Sequence, residues 1–271
     1  MSIATINGLN LYYELFGNNT AKETIVFMNG VMASTTSWMD QVNSFVKLGY
    51  RVLLHDFRGQ LKSDKPAGPY SFKGHVEDTL NLMHFLGIES AHLIGTSYGG
   101  EVSMRMAIDY PERVKSLSII NSVSELDDVL FYFVSGWSAL AKTENGELFF
   151  NGMLPSIYHE SYIKKNKFML EKRAKAFNET PPSYFQGQIE LYRTFLEDVY
   201  MTNELFKIKC PTVVICGEND ILKPVKFSRI IADHILGAEF ITIPDCGHVT
   251  IFEKPETLNS ILLGFILKQS L

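Results

Sequence analysis

Short β-branched runs alternate with longer amphipathic segments as far as residue 121, stop, and resume at Pro211. No other feature constrains the fold so strongly. A strand, a helix and a second strand in one sheet demand a right-handed crossover, and repeated units give a mostly parallel sheet covered on both faces. The pattern predicts strands at Thr24–Met28, Arg51–His55, 91–94 and Val114–Ile120, with helices at 38–48, 72–86 and 98–110. Ahead of these, Asn7-Gly8 separates SIATI from LNLYYELF and predicts a hairpin, because both residues tolerate the positive φ of a tight primed turn. After the interruption, PTVVICG reads as a strand, 225–236 as a helix, Glu239–Ile243 as a strand and 249–268 as a final helix.

The interruption itself, 122–209, reads as helices without strands; Phe185, Ile189, Tyr192, Leu196 and Val199 recur at helical spacing. A helical insertion in a doubly wound sheet is most simply a cap over the carboxyl edge, where open α/β sheets bind ligands. The expectation is therefore an α/β protein. Residues 1–121 and 210–271 form a doubly wound, mostly parallel core, and 122–209 form a helical cap.

Charge and cysteine usage narrow the function classes. With 25 Lys+Arg against 30 Asp+Glu the net charge is −5, which gives no electrostatic reason to expect nucleic acid. Three cysteines, Cys210, Cys216 and Cys246, are an odd number without metal-ligand spacing, so neither a disulfide framework nor a metal site is expected. No basic residue precedes Lys22, and the apolar stretch 261–267 is too short for a bilayer. These features point to a soluble cytoplasmic protein that takes a small-molecule substrate, with no cofactor, nucleic acid or membrane partner.

Gly95-Thr96-Ser97-Tyr98-Gly99 is a G-x-S-x-G motif between a predicted strand and a predicted helix. A nucleophile on such a sharp turn sits in a strained backbone, and glycines two residues away on either side relieve the crowding. The following helix turns its N-terminal N–H groups toward the site, which favours developing negative charge.

A serine nucleophile needs a base, and the base an orienting acid. Of seven histidines, His84 and His234 fall within helices and His55 and His92 in or beside strands. His248 instead lies in the loop Pro244-Asp245-Cys246-Gly247-His248, which opens at the same sheet edge as Ser97. Asp220 ends Cys216-Gly217-Glu218-Asn219-Asp220, directly after the strand PTVVI, and is the favoured acid over Glu218, Glu125, Asp127 and Asp245. For an oxyanion hole the donors are the backbone N–H of Tyr98 and one from Asn29-Gly30-Val31-Met32, with Val31 ahead of Met32.

These segments together resemble the α/β-hydrolase fold with a helical cap, over nearly the whole chain. Asn29-Gly30 stands where that family often has His-Gly. His55-Asp56-Phe57-Arg58-Gly59 through Ser63-Asp64-Lys65-Pro66 is similar to its D-x-R-G-x-G-x-S-D loop, with Gln60-Leu61-Lys62 departing from the glycine pattern. Gly95 to Gly100 corresponds to the elbow, Gly217 to Asp220 to the acid loop, and Gly247-His248 to the histidine loop. The order Ser97, Asp220, His248 is that of the family. The general resemblance is to serine esterases and 3-oxoadipate enol-lactonase-like hydrolases. It implies a cofactor-independent serine hydrolase acting on an ester, lactone or other activated acyl group. The same triad serves C–C bond hydrolysis and acyl transfer, and some proteins of this fold are small-molecule receptors; these readings stay open.

Nearly half of the chain's 19 Phe, 12 Tyr and 2 Trp fall in the cap segment. An apolar, ring-lined pocket over Ser97 is expected, with Phe131, Trp137 and Tyr158 as candidates. Lys164, Lys165, Lys167, Lys172, Arg173 and Lys175 read either as a solvated helix face or as an attraction for an acidic substrate.

Overall fold

The computed structural model describes residues 2–18, 21 and 23–269. Its sheet has eight strands: β1 (Ser2–Ile6), β2 (Leu9–Phe16), β3 (Thr24–Met28), β4 (Arg51–His55), β5 (Ala91–Thr96), β6 (Val114–Ile120), β7 (Thr212–Gly217) and β8 (Glu239–Ile243). Their spatial order is β1-β2-β4-β3-β5-β6-β7-β8. The first two strands pair antiparallel through the expected Asn7-Gly8 turn, where φ is 52° and 78°. β2 also meets β4 antiparallel, and every later pair is parallel. The carboxyl ends of β3 to β8 therefore open onto one edge.

Alternation along each strand divides the core. Ile25 and Phe27 of β3, with Ile94, Ile120, Val213 and Ile215, pack against α1 (Met39–Lys47) and α10 (Pro255–Gln269). Val26 and Met28 face the other way. That layer, with Leu93, Leu117 and Val214, lies under α2 (Phe72–Phe85), α3 (Tyr98–Asp109) and α8 (Val225–His234). Both faces of the central strands are covered, which is why they read as continuous apolar runs.

Between β6 and β7 the chain forms only helices: α4 (Asp128–Ala141), α5 (Gly146–Ile157), α6 (Glu160–Ala176), α7 (Pro182–Asp198) and short 3-10 turns. α4 packs on α5 and α7, and α5 on α6. The cap and the α2/α3 layer share one apolar core, so the cap is seated on the sheet edge by burial.

One element differs from expectation. The last helix is two, α9 (Thr250–Glu253) and α10, separated by Lys254 at φ −138°, ψ 53°. Pro255 is the cause: its ring disfavours the helical region for the preceding residue. Among the described residues no helix is long and apolar enough to cross a membrane, and no group of three or more His, Cys, Asp or Glu is placed to hold a metal ion.

Candidate active site

Ser97 stands between β5 and α3 with φ 52° and ψ −124°, a left-handed conformation that side chains rarely adopt. The flanking glycines are there for space. A Cβ on Gly99 would lie 2.0 Å from the carbonyl oxygen of Met28, and one on Gly95 would lie 2.5 Å from that of Gly99. The Ser97 N–H donates to the Ile120 carbonyl at 2.8 Å, which ties the turn to β6. The hydroxyl is thus held at the mouth of the sheet, at the N-terminus of α3.

Loops after β5, β6, β7 and β8 converge on it. His248 Nε2 lies 3.0 Å from Ser97 Oγ, and His248 Nδ1 lies 2.7 Å from Asp220 Oδ2. A carboxylate only accepts, so Nδ1 carries the proton donated to Asp220 and Nε2 is free to accept from the serine. Asp220 and His248 are both buried. The second oxygen of Asp220, Oδ1, accepts the backbone N–H groups of Leu222 and Lys223 at 3.0 and 2.8 Å. The rival acids lie elsewhere. Glu125 accepts from the Thr202 hydroxyl, Asp127 caps α4 and pairs with Lys226, and Glu218 is exposed.

Asn121, at φ 48° just after β6, was not singled out in the sequence. Its Nδ2 donates to Asp220 Oδ2 at 2.8 Å, and its Oδ1 accepts from the Thr250 hydroxyl. One side chain thereby joins the loops that carry the acid and the histidine. Nothing in its local sequence marks it out, because its role exists only once β6 lies beside β7. The histidine loop is further braced by Glu253, which accepts the Gly247 N–H at 2.9 Å; burial holds that carboxyl above its usual range. Cys246 packs in this loop, and burial pushes its thiol up to about 12, far from thiolate chemistry at neutral pH.

The loop after β3 is fixed by two side chains at the positions where the sequence departs from the family pattern. Asn29 is fully buried: its Nδ2 donates to the His55 carbonyl at 2.9 Å and to Gln60 Oε1 at 3.1 Å, and its Oδ1 accepts from Trp38 Nε1 at 2.8 Å. Gln60 Nε2 in turn donates to the Gly30 carbonyl at 2.8 Å, which also accepts the Ala33 N–H at 3.0 Å. Gln188, from α7 of the cap, donates to the Val31 carbonyl at 2.9 Å. In a trans peptide the N–H points opposite its carbonyl. Anchoring the Gly30 carbonyl therefore fixes the direction of the Val31 N–H, and anchoring the Val31 carbonyl fixes that of Met32.

Two adjoining cavities meet at Ser97 and Val31. The larger, about 620 Å³ out to its open mouth, contains Ser97 and His248 and is walled by Trp137, Phe150, Met153 and Tyr158 from the cap. The smaller contains Ser97 and Tyr98 and is closed by Trp137, Tyr192, Phe195 and Lys223. Trp137 and Tyr158 thus line the cavity at Ser97. Phe131 does not: it is 41% exposed, with its ring against Tyr132. The buried stripe of α4 is Leu130, Val134, Trp137 and Ala141, and a residue next to Leu130 turns away from it.

Behind the smaller cavity Lys223 Nζ sits 2.9 Å from Glu101 Oε1, both side chains nearly sealed from solvent. Burial raises the Glu101 carboxyl, and the Lys223 charge and hydrogen bond oppose that rise.

Comparisons with known proteins agree with this architecture. The solved structure of MGS-M2, an alpha/beta hydrolase enzyme from a Medee basin deep-sea metagenome library, superposes with a TM-score of 0.93 at 31% identity, covering 98% of this chain and 97% of that one. The 3-oxoadipate enol-lactonase 1 of Acinetobacter baylyi (strain ATCC 33305 / BD413 / ADP1) is 27% identical over 97% of this chain and 96% of its own. RutD of Caulobacter sp. (strain K31), to which a carbamate hydrolase activity is ascribed by name, is 26% identical over 98% of both chains. Residues 23–255 match the model of the alpha/beta hydrolase fold, and the chain belongs to that family.

Proposed function

We propose that the protein is a serine hydrolase that cleaves an ester, lactone or similarly activated acyl substrate through an acyl-enzyme. One observation carries the reading: the unbroken relay from Ser97 Oγ through His248 to Asp220, at 3.0 and 2.7 Å. Ser97 Oγ attacks the carbonyl carbon as its proton passes to His248 Nε2. The carbonyl π electrons move onto oxygen, where the N–H groups of Val31 and Tyr98 stabilise the charge. The intermediate collapses, and the leaving alcohol or enol takes the proton from His248. A water then gives its proton to His248 and attacks the acyl-enzyme, releasing the acid and restoring Ser97. Asp220 holds the imidazole tautomer throughout and stabilises its charged form.

The apolar walls support a substrate that is uncharged around the scissile carbonyl. The names of the relatives, lactonase and carbamate hydrolase, are compatible with attack on such a carbonyl. The test is a turnover screen with short- and long-chain aryl esters and with lactones, run beside Ser97→Ala. Turnover lost in the variant supports the hydrolase. Saturable binding without product release supports a receptor built on the same fold.

A further inference from the structure

Of the six cations on α6, five behave as a solvated helix face: Lys164, Lys165, Lys167, Lys172 and Lys175 are all exposed. Arg173 is different. It is only partly exposed and lines the cavity that contains Ser97 and His248. Helical geometry explains the direction, since Leu170 and Ala174 are the buried positions of α6 and Arg173 flanks them on the same side. Among the described residues it is the one cationic side chain in that wall, and none of the lining side chains is acidic.

Among the described residues Arg173 has neither a carboxylate at ion-pair distance nor a hydrogen-bond acceptor. Its guanidinium carbon lies 5.7 and 5.8 Å from the ring centroids of Phe150 and Phe252, and its charge also reaches the phenols of Tyr158, Tyr162 and Tyr184. A third cavity adjoins at the same residue, and Met32, Arg173 and Phe252 border both it and the cavity that contains Ser97. This cavity carries the hydroxyls of Ser34, Thr36, Ser37 and Thr180, and among the described residues it too has no acidic lining residue. Arg173 therefore stands between a cavity that carries hydroxyls and the more apolar one that contains Ser97.

We infer that Arg173 is a specificity residue that binds a carboxylate of the substrate, separated from the scissile carbonyl by an apolar segment lying in the Ser97 cavity. This rests on the hydrolase reading for the identity of the scissile group, but the anion site itself does not. An unpaired guanidinium between rings has a planar fork of donors left to solvent, and a carboxylate matches that fork. A single cation suits one negative charge; a phosphate dianion would call for a second cation in the wall. The five exposed lysines attract such a substrate toward the mouth without contacting it.

The probes are monomethyl suberate, an anion at neutral pH, and dimethyl suberate, its neutral counterpart. In the wild type the ratio of kcat/KM for the anion over the neutral ester should exceed that of Arg173→Gln by at least about tenfold, the loss of one charge-assisted bidentate contact. Arg173→Lys should keep part of the ratio, and Arg173→Glu should reverse it. An unchanged ratio across these variants overturns the proposal. Binding of monomethyl suberate to Ser97→Ala, read by calorimetry, is the arm independent of turnover. Affinity should fall at least about tenfold when Arg173→Gln is added; equal affinity, or no binding to either, overturns the proposal. Arg173-dependent binding in a wild type that turns over neither suberate and none of the aryl esters and lactones would sink the hydrolase reading and leave the carboxylate site standing.

Discussion

Asn121 Nδ2 donates to Asp220 Oδ2 at 2.8 Å, the same oxygen that faces His248 Nδ1. The acid is thus oriented from β6 as well as from its own loop, and the link continues through Asn121 Oδ1 to Thr250. We assign Asn121 a positioning role. Asn121→Gly tolerates the positive φ and removes the side chain, so it should lower kcat by roughly tenfold to a hundredfold with little change in KM. Steady-state kinetics on an aryl ester reads the split. A rise in KM at constant kcat would place Asn121 in substrate binding instead.

Triad members act as a unit. Ser97→Ala and His248→Ala should each abolish most of the rate enhancement, and the double variant should lose little more than either single one. Asp220→Asn should cost on the order of 10³- to 10⁴-fold in kcat, because the amide favours the wrong imidazole tautomer. Near wild-type turnover in Asp220→Asn would move the orienting acid to another residue.

The Glu101–Lys223 pair tests how far the buried charges near Ser97 support the fold. Lys223→Met strands a carboxylate that is nearly sealed from solvent. It should cost on the order of 3 kcal/mol in urea unfolding, and the double variant Glu101→Leu/Lys223→Met should recover part of that loss. Strict additivity of the two single variants would mean that the pair is not coupled.

His75 of α2 is buried among Phe57, Tyr70 and Tyr98, and among the described residues neither ring nitrogen has a hydrogen-bond partner. Burial, with help from Arg58 and His55, lowers its pKa to about 3. The unfolded state therefore takes up this proton first, from about pH 6.5 downward. Stability falls as pH drops from there toward the folded-state value, by on the order of 5 kcal/mol in all. Asp56 and Glu101, whose carboxyls are raised by burial, push the other way. Comparing His75→Phe with the wild type isolates the imidazole: the variant should lose less Tm between neutral pH and about pH 4. Parallel Tm profiles would contradict this.

Much of this site was legible in the chain because each part is a local signal. The G-x-S-x-G elbow, the acid loop after PTVVI and the glycine before His248 each follow a strand, and a parallel sheet brings all strand ends to one edge. Asn121, Gln60 and Gln188 were not legible, since each acts on a residue far away in sequence and carries no local pattern. The cap was harder still. Aromatic content marks it as apolar, but the phase of α4 decides that Trp137 faces the cavity and Phe131 does not, and that phase is set by packing on α5 and α7. Arg173 was visible only as one of six cations; the sense in which α6 is rolled makes it different from the rest.

That phase gives a control. Trp137→Ala should change the ranking of acyl chain lengths, because Trp137 borders both cavities at Ser97. Phe131→Ala, at an exposed position of the same helix, should leave the ranking as it is. Competition assays with mixed esters read both, and an equal effect of the two would make the cap a cover without a role in selection.

The central claim is that Ser97 is the acyl-accepting nucleophile. Treatment with an alkyl fluorophosphonate, followed by peptide mass mapping, tests it most directly. One adduct is expected, on the peptide carrying Ser97, formed at a rate that collapses in His248→Ala while that protein stays folded. An adduct on another residue, or one formed equally fast without His248, would contradict it.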